Sequence, residues 1–460
     1  MPNTIVALAT PTGRSGIGVI RLSGGDAFGI SQKLISDAGF VPSPRTAYLK
    51  QLIDPQTDET IDEALITYFK APHSFTGEDV VEISCHGSPV LLRQVIDHCL
   101  SLGARMAEAG EFSLRALANG RMDLAEAEAI RDLIDAQTVA SARQAVRQMR
   151  GELSHQLQPL KDELLNVIVV LESALEFVED DLPTMQLEIV KKSLIDIADD
   201  TARLADTFKA GHLIREGLRV ALIGRPNVGK SSLFNALLGS DRAIVTEIAG
   251  TTRDQIHERF TIGDIPISLI DTAGLRETTD TVESIGVARS KATMADADIV
   301  VVLLDASEEI TTEDHEILDS VHDLNYIVAL NKIDKEPSFD VDKLIAGKHA
   351  KLGYLRERIT PLSAKTSEGI EELCDAIVRP FAPQDISRAG FLVSDARHHD
   401  LLLRAKSEIE QSVGQLDEKL SEEIVLIGLH NALRYLGQIT GETTTEDMLT
   451  RIFATFCIGK

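Results

Sequence analysis

The stretch from Gly224 to Ser232, GRPNVGKSS, narrows the possible folds of this chain more than any other. It matches G-x-x-x-x-G-K-[ST], follows the apolar run LRVALIG and opens SSLFNALLG, which has helical character. Glycines let the backbone wrap a phosphate with its N–H groups, and a helix starting there adds the positive end of its dipole. The unit is therefore strand, loop, helix, and it belongs to an α/β sheet with mostly parallel strands. Asn227, Val228 and Gly229 would line the loop. Lys230 would reach the β- and γ-phosphates, Ser231 would ligate Mg²⁺, and Ser232 would follow on the helix.

The surrounding residues, 216–380, alternate strands and helices. The strand candidates are LRVALIG, HERFTI, IPISLIDT, DIVVVLLD, YIVALNK and RITPLS. A turn at Gly263-Asp264 joins the second and third, which predicts an antiparallel hairpin. The others are separated by helical stretches and are expected to run parallel, giving a mixed six-stranded sheet. Residues 121–215 and 381–460 are rich in Ala, Leu, Glu and Arg, with apolar residues at helical spacing such as Ile130, Leu133 and Ile134 and a break near Pro183. Residues 1–120 mix strands (TIVALAT, GVIRLSG) with a helix, PVLLRQVIDHCLSLG, ending at Gly103. The expected architecture is multidomain: an α+β N-terminal domain, an all-α domain in two parts, and an α/β P-loop domain inserted into it.

The base is chosen by motifs further along. In NKID, Asn331 to Asp334, the Asp334 carboxylate can accept from both guanine N1–H and the exocyclic amine, a pair that adenine lacks. Asn331 and Lys332 belong to the same strand end, and Ser363, Ala364 and Lys365 (SAK) add a backbone contact to the guanine oxygen. DTAG, the residues Asp271, Thr272, Ala273 and Gly274, places a carboxylate on the Mg²⁺ side and a glycine at the γ-phosphate. GTTRD supplies Thr252 as the switch threonine on Mg²⁺. Together these specify GTP.

Hydrolysis poses a question. Ras-like enzymes carry a glutamine after D-x-x-G that orients the attacking water; here that residue is Leu275. Positive charge between the β- and γ-phosphates also helps the transition state. The Asn227 side-chain carbonyl could hold a monovalent cation there, with further oxygens from the switch stretch TEIAGTT. Asn227 could equally serve only to stiffen the loop, and the residues leave both readings open.

Composition limits the surroundings. Hydrophobic content is 43%, and no run approaches the roughly 20 apolar residues that span a bilayer. The N-terminus has no secretory signature, and Cys85, Cys99, Cys374 and Cys457 make no disulfide or metal spacing, so a cytoplasmic location is expected. The first three read as small core residues. A net charge of -26 argues against bulk electrostatic binding of RNA, so a local patch or a partner would have to provide it.

Several segments carry a family likeness: TIVALATPTGRSGIGVIRLSG, SFTGEDVVEI, GEFSLRALANGRMDLAEAEAIRDLIDAQT and the ending LTRIFATFCIGK. With the nucleotide motifs they make essentially the whole chain resemble the MnmE (TrmE) tRNA-modification GTPases, of the TrmE-Era-EngA-like group. The resemblance implies K⁺ stimulation through dimerisation of G domains, with K⁺ held by the Asn227 side chain and oxygens of Thr246, Ile248 and Thr251. It extends the GTP-binding set across the switch stretch Thr246, Glu247, Ile248, Ala249, Gly250, Thr251 and Thr252. It points to Glu283, in DTVESIGVARS, as the residue acting through water in place of the missing glutamine.

It further implies a folate-binding-like N-terminal domain that makes a constitutive homodimer and holds 5-formyl-tetrahydrofolate or a related one-carbon folate. Arg21, Glu78 and Arg121 would contact the folate, with Lys460 nearby and Cys457 close enough to take part in chemistry. Relatives commonly have Lys where this chain has Arg121, which keeps the charge and changes the geometry. The implied partner is an FAD- and NADH-dependent MnmG-type enzyme. The pair would add a carboxymethylaminomethyl or aminomethyl group to C5 of the wobble uridine, position 34, of certain tRNAs.

Other features read as structural. His398-His399 are expected at a helix start facing solvent, Cys85-His86 in a structured turn, and the acidic run EFVEDD at a solvated helix end. A ribosome-assembly switch of the Era or Der type would need a KH-type RNA-binding region with its GXXG loop, or two G domains in tandem, and neither pattern is read here.

Overall fold

Alternation of side chains builds the N-terminal sheet. β1 (Ile5–Leu8) sends Val6 into one core with Ile20, Leu22, Ile66, Val81 and Ile83, and sends Ile5 and Ala7 into a second core with Ala107 and Phe112. Both faces of the strand are therefore covered. In this computed structural model, which describes residues 3–176, 184–239, 258–270, 296–336, 358–381 and 390–459, the other strands are β2 (Ser15–Ser23), β3 (Ala47–Ile53), β4 (Thr60–Phe69), β5 (Val80–Gly87) and β6 (Arg105–Met106). Their order is β3-β4-β5-β2-β1-β6, antiparallel except for the β1–β6 pair. α1 (Ala27–Leu34) and α2 (Pro89–Ser101) cover the first core with Ile30, Leu34, Leu92 and Val95. Pro89 suits the first turn of α2, where its missing N–H has no helical partner to lose. α3 (Glu111–Ala118) contributes Phe112 to the second core.

Long helices follow: α4 (Leu124–Asp135), α5 (Val139–Met149), α6 (Glu152–Glu176), α7 (Thr184–Asp206) and α8 (Phe208–Glu216). In α6, Leu153, Leu157, Leu160, Leu164, Val167 and Leu171 are buried, a stripe with alternating steps of four and three residues.

The second sheet is the expected mixed α/β one. β7 (Leu218–Ile223) leads into α9 (Lys230–Leu238). β8 (Glu258–Ile262) and β9 (Ile265–Ile270) form the antiparallel hairpin. β10 (Ile299–Asp305) is followed by α10 (Thr312–Ser320), β11 (Tyr326–Asn331), β12 (Ile359–Pro361) and α11 (Ile370–Val378). The order is β12-β11-β10-β7-β9-β8, parallel apart from the hairpin. Ile299, Val301 and Leu303 point into one core, and Val300, Val302 and Leu304 into the other, which is why β10 is apolar throughout.

The chain closes with α12 (Ala396–Asp417), α13 (Glu422–Thr440), packed on α6, and α14 (Glu446–Phe453). It divides into two compact units, one of residues 1–131, 148–197 and 404–460, the other of 132–147 and 198–403.

Two local expectations are corrected. Cys85 and His86 lie in β5 rather than in a turn, with Cys85 in the core and His86 Nδ1 2.7 Å from Asp62 Oδ1. The β2–β5 register, Gly18 against Cys85 and Ile17 against His86, carries the strand through them. His398 is in the first turn of α12 but is fully buried, and His399 stacks on Phe208 with ring centroids 4.2 Å apart. One side of the first turn of α12 therefore packs inward, with His399 against Phe208 of α8, while Ala396 stays exposed. Asp395 beside it is partly buried, which opposes charge, yet His398 and Arg215 hold its carboxyl well below the usual range. The break near Pro183 and all but the first residue of EFVEDD lie outside the described residues.

A buried ionic network joins α3 to the sheet. Arg115, 1% exposed, donates to Glu111 Oε1, to Glu78 Oε2 and to the Asn3 carbonyl, each at 2.9 Å. Glu111 also accepts from Arg105, at 2.8 Å for Nη1. Burial would raise the Glu111 pKa, but Arg105, the Glu108 N–H and Arg115 bring it down to about 2 from an ordinary 4.5. Its stabilisation is then complete above about pH 4.5 and fades as pH falls towards 2. Glu111→Gln is expected to cost about 3 kcal/mol near neutrality by leaving Arg115 half paired. Unfolding curves for both proteins across pH should converge in acid; a gap that stays constant would contradict the assignment.

Candidate functional site

The nucleotide motifs meet at the C-terminal ends of parallel strands, where β7 has β9 on one side and β10 on the other. In open α/β sheets this reversal is where ligands bind. The loops there are cross-linked. The Asn331 amide, 2% exposed, donates through Nδ2 to the Val228 carbonyl at 2.8 Å and accepts through Oδ1 from the Ala364 N–H at 3.0 Å. One buried side chain thus ties the P-loop to the SAK loop. Gly229 has φ +102°, and a Cβ there would lie 2.3 Å from Asn331 Nδ2, so a side chain would disrupt that tie.

Lys332 adds a second tie. Its Nζ donates to the Asn227 carbonyl at 2.8 Å and pairs with Asp305 Oδ2 at 2.5 Å. Asn227 (φ +64°) and Lys332 (φ +69°) both occupy the left-handed region, which asparagine tolerates better than lysine. Asp334 Oδ1 accepts from Ser363 Oγ at 2.7 Å, and this bond holds its carboxyl below the usual range. Asp334 is therefore ionised at neutral pH and able to accept from two donors. Lys230 lies at the start of α9, and its Nζ donates to the Gly224 and Arg225 carbonyls at 2.6 and 2.9 Å. Burial pushes its pKa down. Ser231 and Ser232 follow on the first turn.

Asn227, Val228, Gly229, Lys230, Ser231, Asn331, Lys332, Asp334, Ser363, Ala364 and Lys365 are thus gathered at one sheet edge. Thr246 to Thr252, Asp271 to Gly274 and Glu283 lie outside the described residues, as does Lys460.

The residues singled out in the N-terminal domain form a different constellation. Arg21, on β2, donates from Nε and Nη2 to Glu82 Oε1 at 3.0 and 2.8 Å and from Nη1 to the Gly459 carbonyl at 3.4 Å. Its guanidinium lies 5.6 Å from the Phe75 ring centroid and 5.8 Å from that of Phe112. Glu78 accepts from Ser23 Oγ at 2.8 Å and from Arg115. The stem of exposed Arg121 lies against Gly77, whose added Cβ would sit 3.2 Å from Arg121 Cγ. The C-terminal tail packs onto the same region. Ala109 bridges Ile458, Gly110 N–H donates to the Cys457 carbonyl at 3.4 Å, and Cys457 is exposed. A Cβ on Gly459 (φ +99°) would lie 2.4 Å from the Leu8 carbonyl.

Sequence reasoning missed Arg115, Glu111 and Glu82. The first two carried a signal, an i, i+4 acid–base pair within EFSLRALANGR. Glu82 pairs across strands with Arg21, a register that periodicity alone does not specify.

The family description "GTP-binding protein TrmE N-terminus" matches residues 4–121, and "MnmE helical domain" matches residues 124–457. The tRNA modification GTPase MnmE of Koribacter versatilis is 42% identical over 463 residues, with 100% of each chain covered. That of Aquifex aeolicus is 43% identical over 461 residues, again with 100% of each covered. Among solved structures, the G domain of the T. maritima FeoB iron transporter is 31% identical over 35% of this chain and 97% of its own, with a TM-score of 0.26. By the full-length relatives and both family descriptions, the chain belongs to the MnmE family of tRNA-modification GTPases.

Proposed function

We propose that this protein hydrolyses GTP to drive modification of the wobble uridine of certain tRNAs, in concert with an FAD- and NADH-dependent MnmG-type enzyme. The observation that carries the GTP reading is the cross-linked set Val228, Asn331, Ala364 and Asp334, inside a chain about 42% identical along its whole length to tRNA modification GTPases. The product would carry a carboxymethylaminomethyl or aminomethyl group at C5 of uridine 34. The partner would supply much of the tRNA contact, which fits a chain of net charge -26. Among the described residues no helix is long and apolar enough to cross a membrane.

Within this reading each loop has one task. Asp334, ionised and held by Ser363, accepts from the guanine edge. Lys230 and the α9 N-terminus face the phosphates, and Ser231 with Thr252 would hold Mg²⁺, which screens the phosphate charge. Asn227 stands exposed at the crest of the loop, and with oxygens of Thr246, Ile248 and Thr251 it would hold K⁺, which supplies positive charge beside the transferred phosphoryl group. Glu283 would position the attacking water through a second water, in place of glutamine.

Residues 1–120 would pair two copies of the chain and bind a one-carbon tetrahydrofolate against Arg21, Glu78, Arg121 and the tail carrying Cys457 and Lys460. The one-carbon unit supplies the methylene that the modification adds. The tail contacts from Gly459 to Arg21 and from Cys457 to Gly110 favour this, since they bring the last residues of the chain to the N-terminal sheet.

Two measurements test these assignments. GTP hydrolysis at fixed ionic strength should rise about tenfold or more in K⁺ over Na⁺ or Cs⁺, and Asn227→Ala should abolish the difference; equal slow rates in every salt would contradict the cation role. Titration with 5-formyl-tetrahydrofolate should show binding weakened about tenfold by Arg21→Ala, the expected loss for one charge-assisted contact. Unchanged affinity would remove Arg21 from the site.

A further inference from the structure

The segment after β10 bears on the P-loop although it contains no nucleotide motif. Asp305, the last residue of β10, has a side chain 2% exposed, and its two oxygens have separate partners. Oδ1 accepts from the Ser307 N–H at 2.9 Å and Ser307 Oγ at 2.7 Å, which fixes the carboxylate plane. Oδ2 meets Lys332 Nζ at 2.5 Å. From that anchor the same ammonium reaches the Asn227 carbonyl at 2.8 Å.

The chain of contacts explains an otherwise costly backbone. A lysine at φ +69° sits in a region that ordinary side chains avoid, and such residues persist only where their surroundings over-determine them. Here a buried carboxylate and a P-loop carbonyl hold the lysine from both sides. The same segment also grips the P-loop on its other flank. Arg225 Nη2 is 2.7 Å from Glu308 Oε2, and its Nε is 3.3 Å from Asp314 Oδ2. Asp314 is itself fixed, as the third residue of a capping box with Thr311 at the start of α10.

We propose that Asp305 is a positioning residue for nucleotide binding: it fixes the Lys332 ammonium under the Asn227 carbonyl and so sets the P-loop shape that receives the phosphates. The proposal rests on the reading of Gly224 to Ser232 as the GTP loop. Asp305 touches neither phosphate nor base; it acts through Lys332. An ordinary structural alternative is that Asp305 only caps the strand end through Ser307. The two differ in what Asp305→Asn does, since an amide keeps an oxygen for Ser307 and loses the charge that holds Lys332.

The experiment is a double-mutant cycle on the full chain, with Asp305→Asn, Lys332→Met and the combination. Affinity for a fluorescent GDP analogue is measured alongside kcat and KM for GTP, and thermal unfolding without nucleotide reports folding. Asp305→Asn alone is expected to raise the GDP Kd about tenfold, equal to about 1.4 kcal/mol. In the Lys332→Met background the same change should alter Kd by less than about twofold, because contacts acting as one unit are not additive. An unchanged Kd in Asp305→Asn would overturn the proposal. So would a tenfold loss in both backgrounds, or a loss of folded protein, since Asp305 would then serve the fold independently of Lys332. Failure of the unsubstituted chain to bind GDP would be a separate outcome, removing the GTP reading of the loop and the proposal with it.

Discussion

The Asn331 amide ties together the loops of the proposed nucleotide site. It is buried at the end of β11, bonds the P-loop through Val228 and the SAK loop through Ala364, and forces glycine at position 229. Three loops that are far apart in the chain take their relative positions from this one side chain. A buried amide left without these partners would cost about 1–3 kcal/mol per group, so the loops and the amide order one another. The parallel strands bring the loop ends to a common edge, and the amide links two of those loops to its own.

A second theme is charge taken out of water in matched groups. Arg115 with Glu78 and Glu111, Arg215 with Asp132 and Asp395, and Lys332 with Asp305 each join elements distant in sequence. Such clusters add little net stability over an apolar core, but breaking one partner is expensive. They specify geometry, at the places where geometry is needed: the floor of the N-terminal network, the junction of α8 with α12, and the flank of the P-loop.

Much of the fold was legible in the sequence because its signals were local. The apolar run IVVVLLD could only be a strand covered on both faces, the Gly263-Asp264 turn required a hairpin, and Pro89 and Gly103 bracketed α2. The residues proposed to select the base carry a local signal of the same kind: NKID and SAK each sit within a few residues of a strand end. What escaped were contacts between distant residues. Arg225 meets Glu308, 83 residues away, and Arg21 meets Glu82, 61 residues away. No periodicity records those pairings. The polar neighbours of His398 point to an exposed helix start, yet its side chain is fully buried, an outcome of tertiary packing that no local pattern records.

Guanine selection would rest on a site assembled around Asn331 and Asp334. The most direct measurement compares hydrolysis of GTP, ATP and xanthosine triphosphate by the native chain and by Asp334→Asn. The native protein should use GTP alone, since the Asp334 carboxylate accepts from N1–H and the exocyclic amine. The variant should lose GTP and gain the xanthine nucleotide, whose carbonyl replaces that amine and pairs with an amide donor. Native hydrolysis of ATP at a rate similar to GTP, or an Asp334→Asn protein that keeps its preference for GTP, would contradict the site described here.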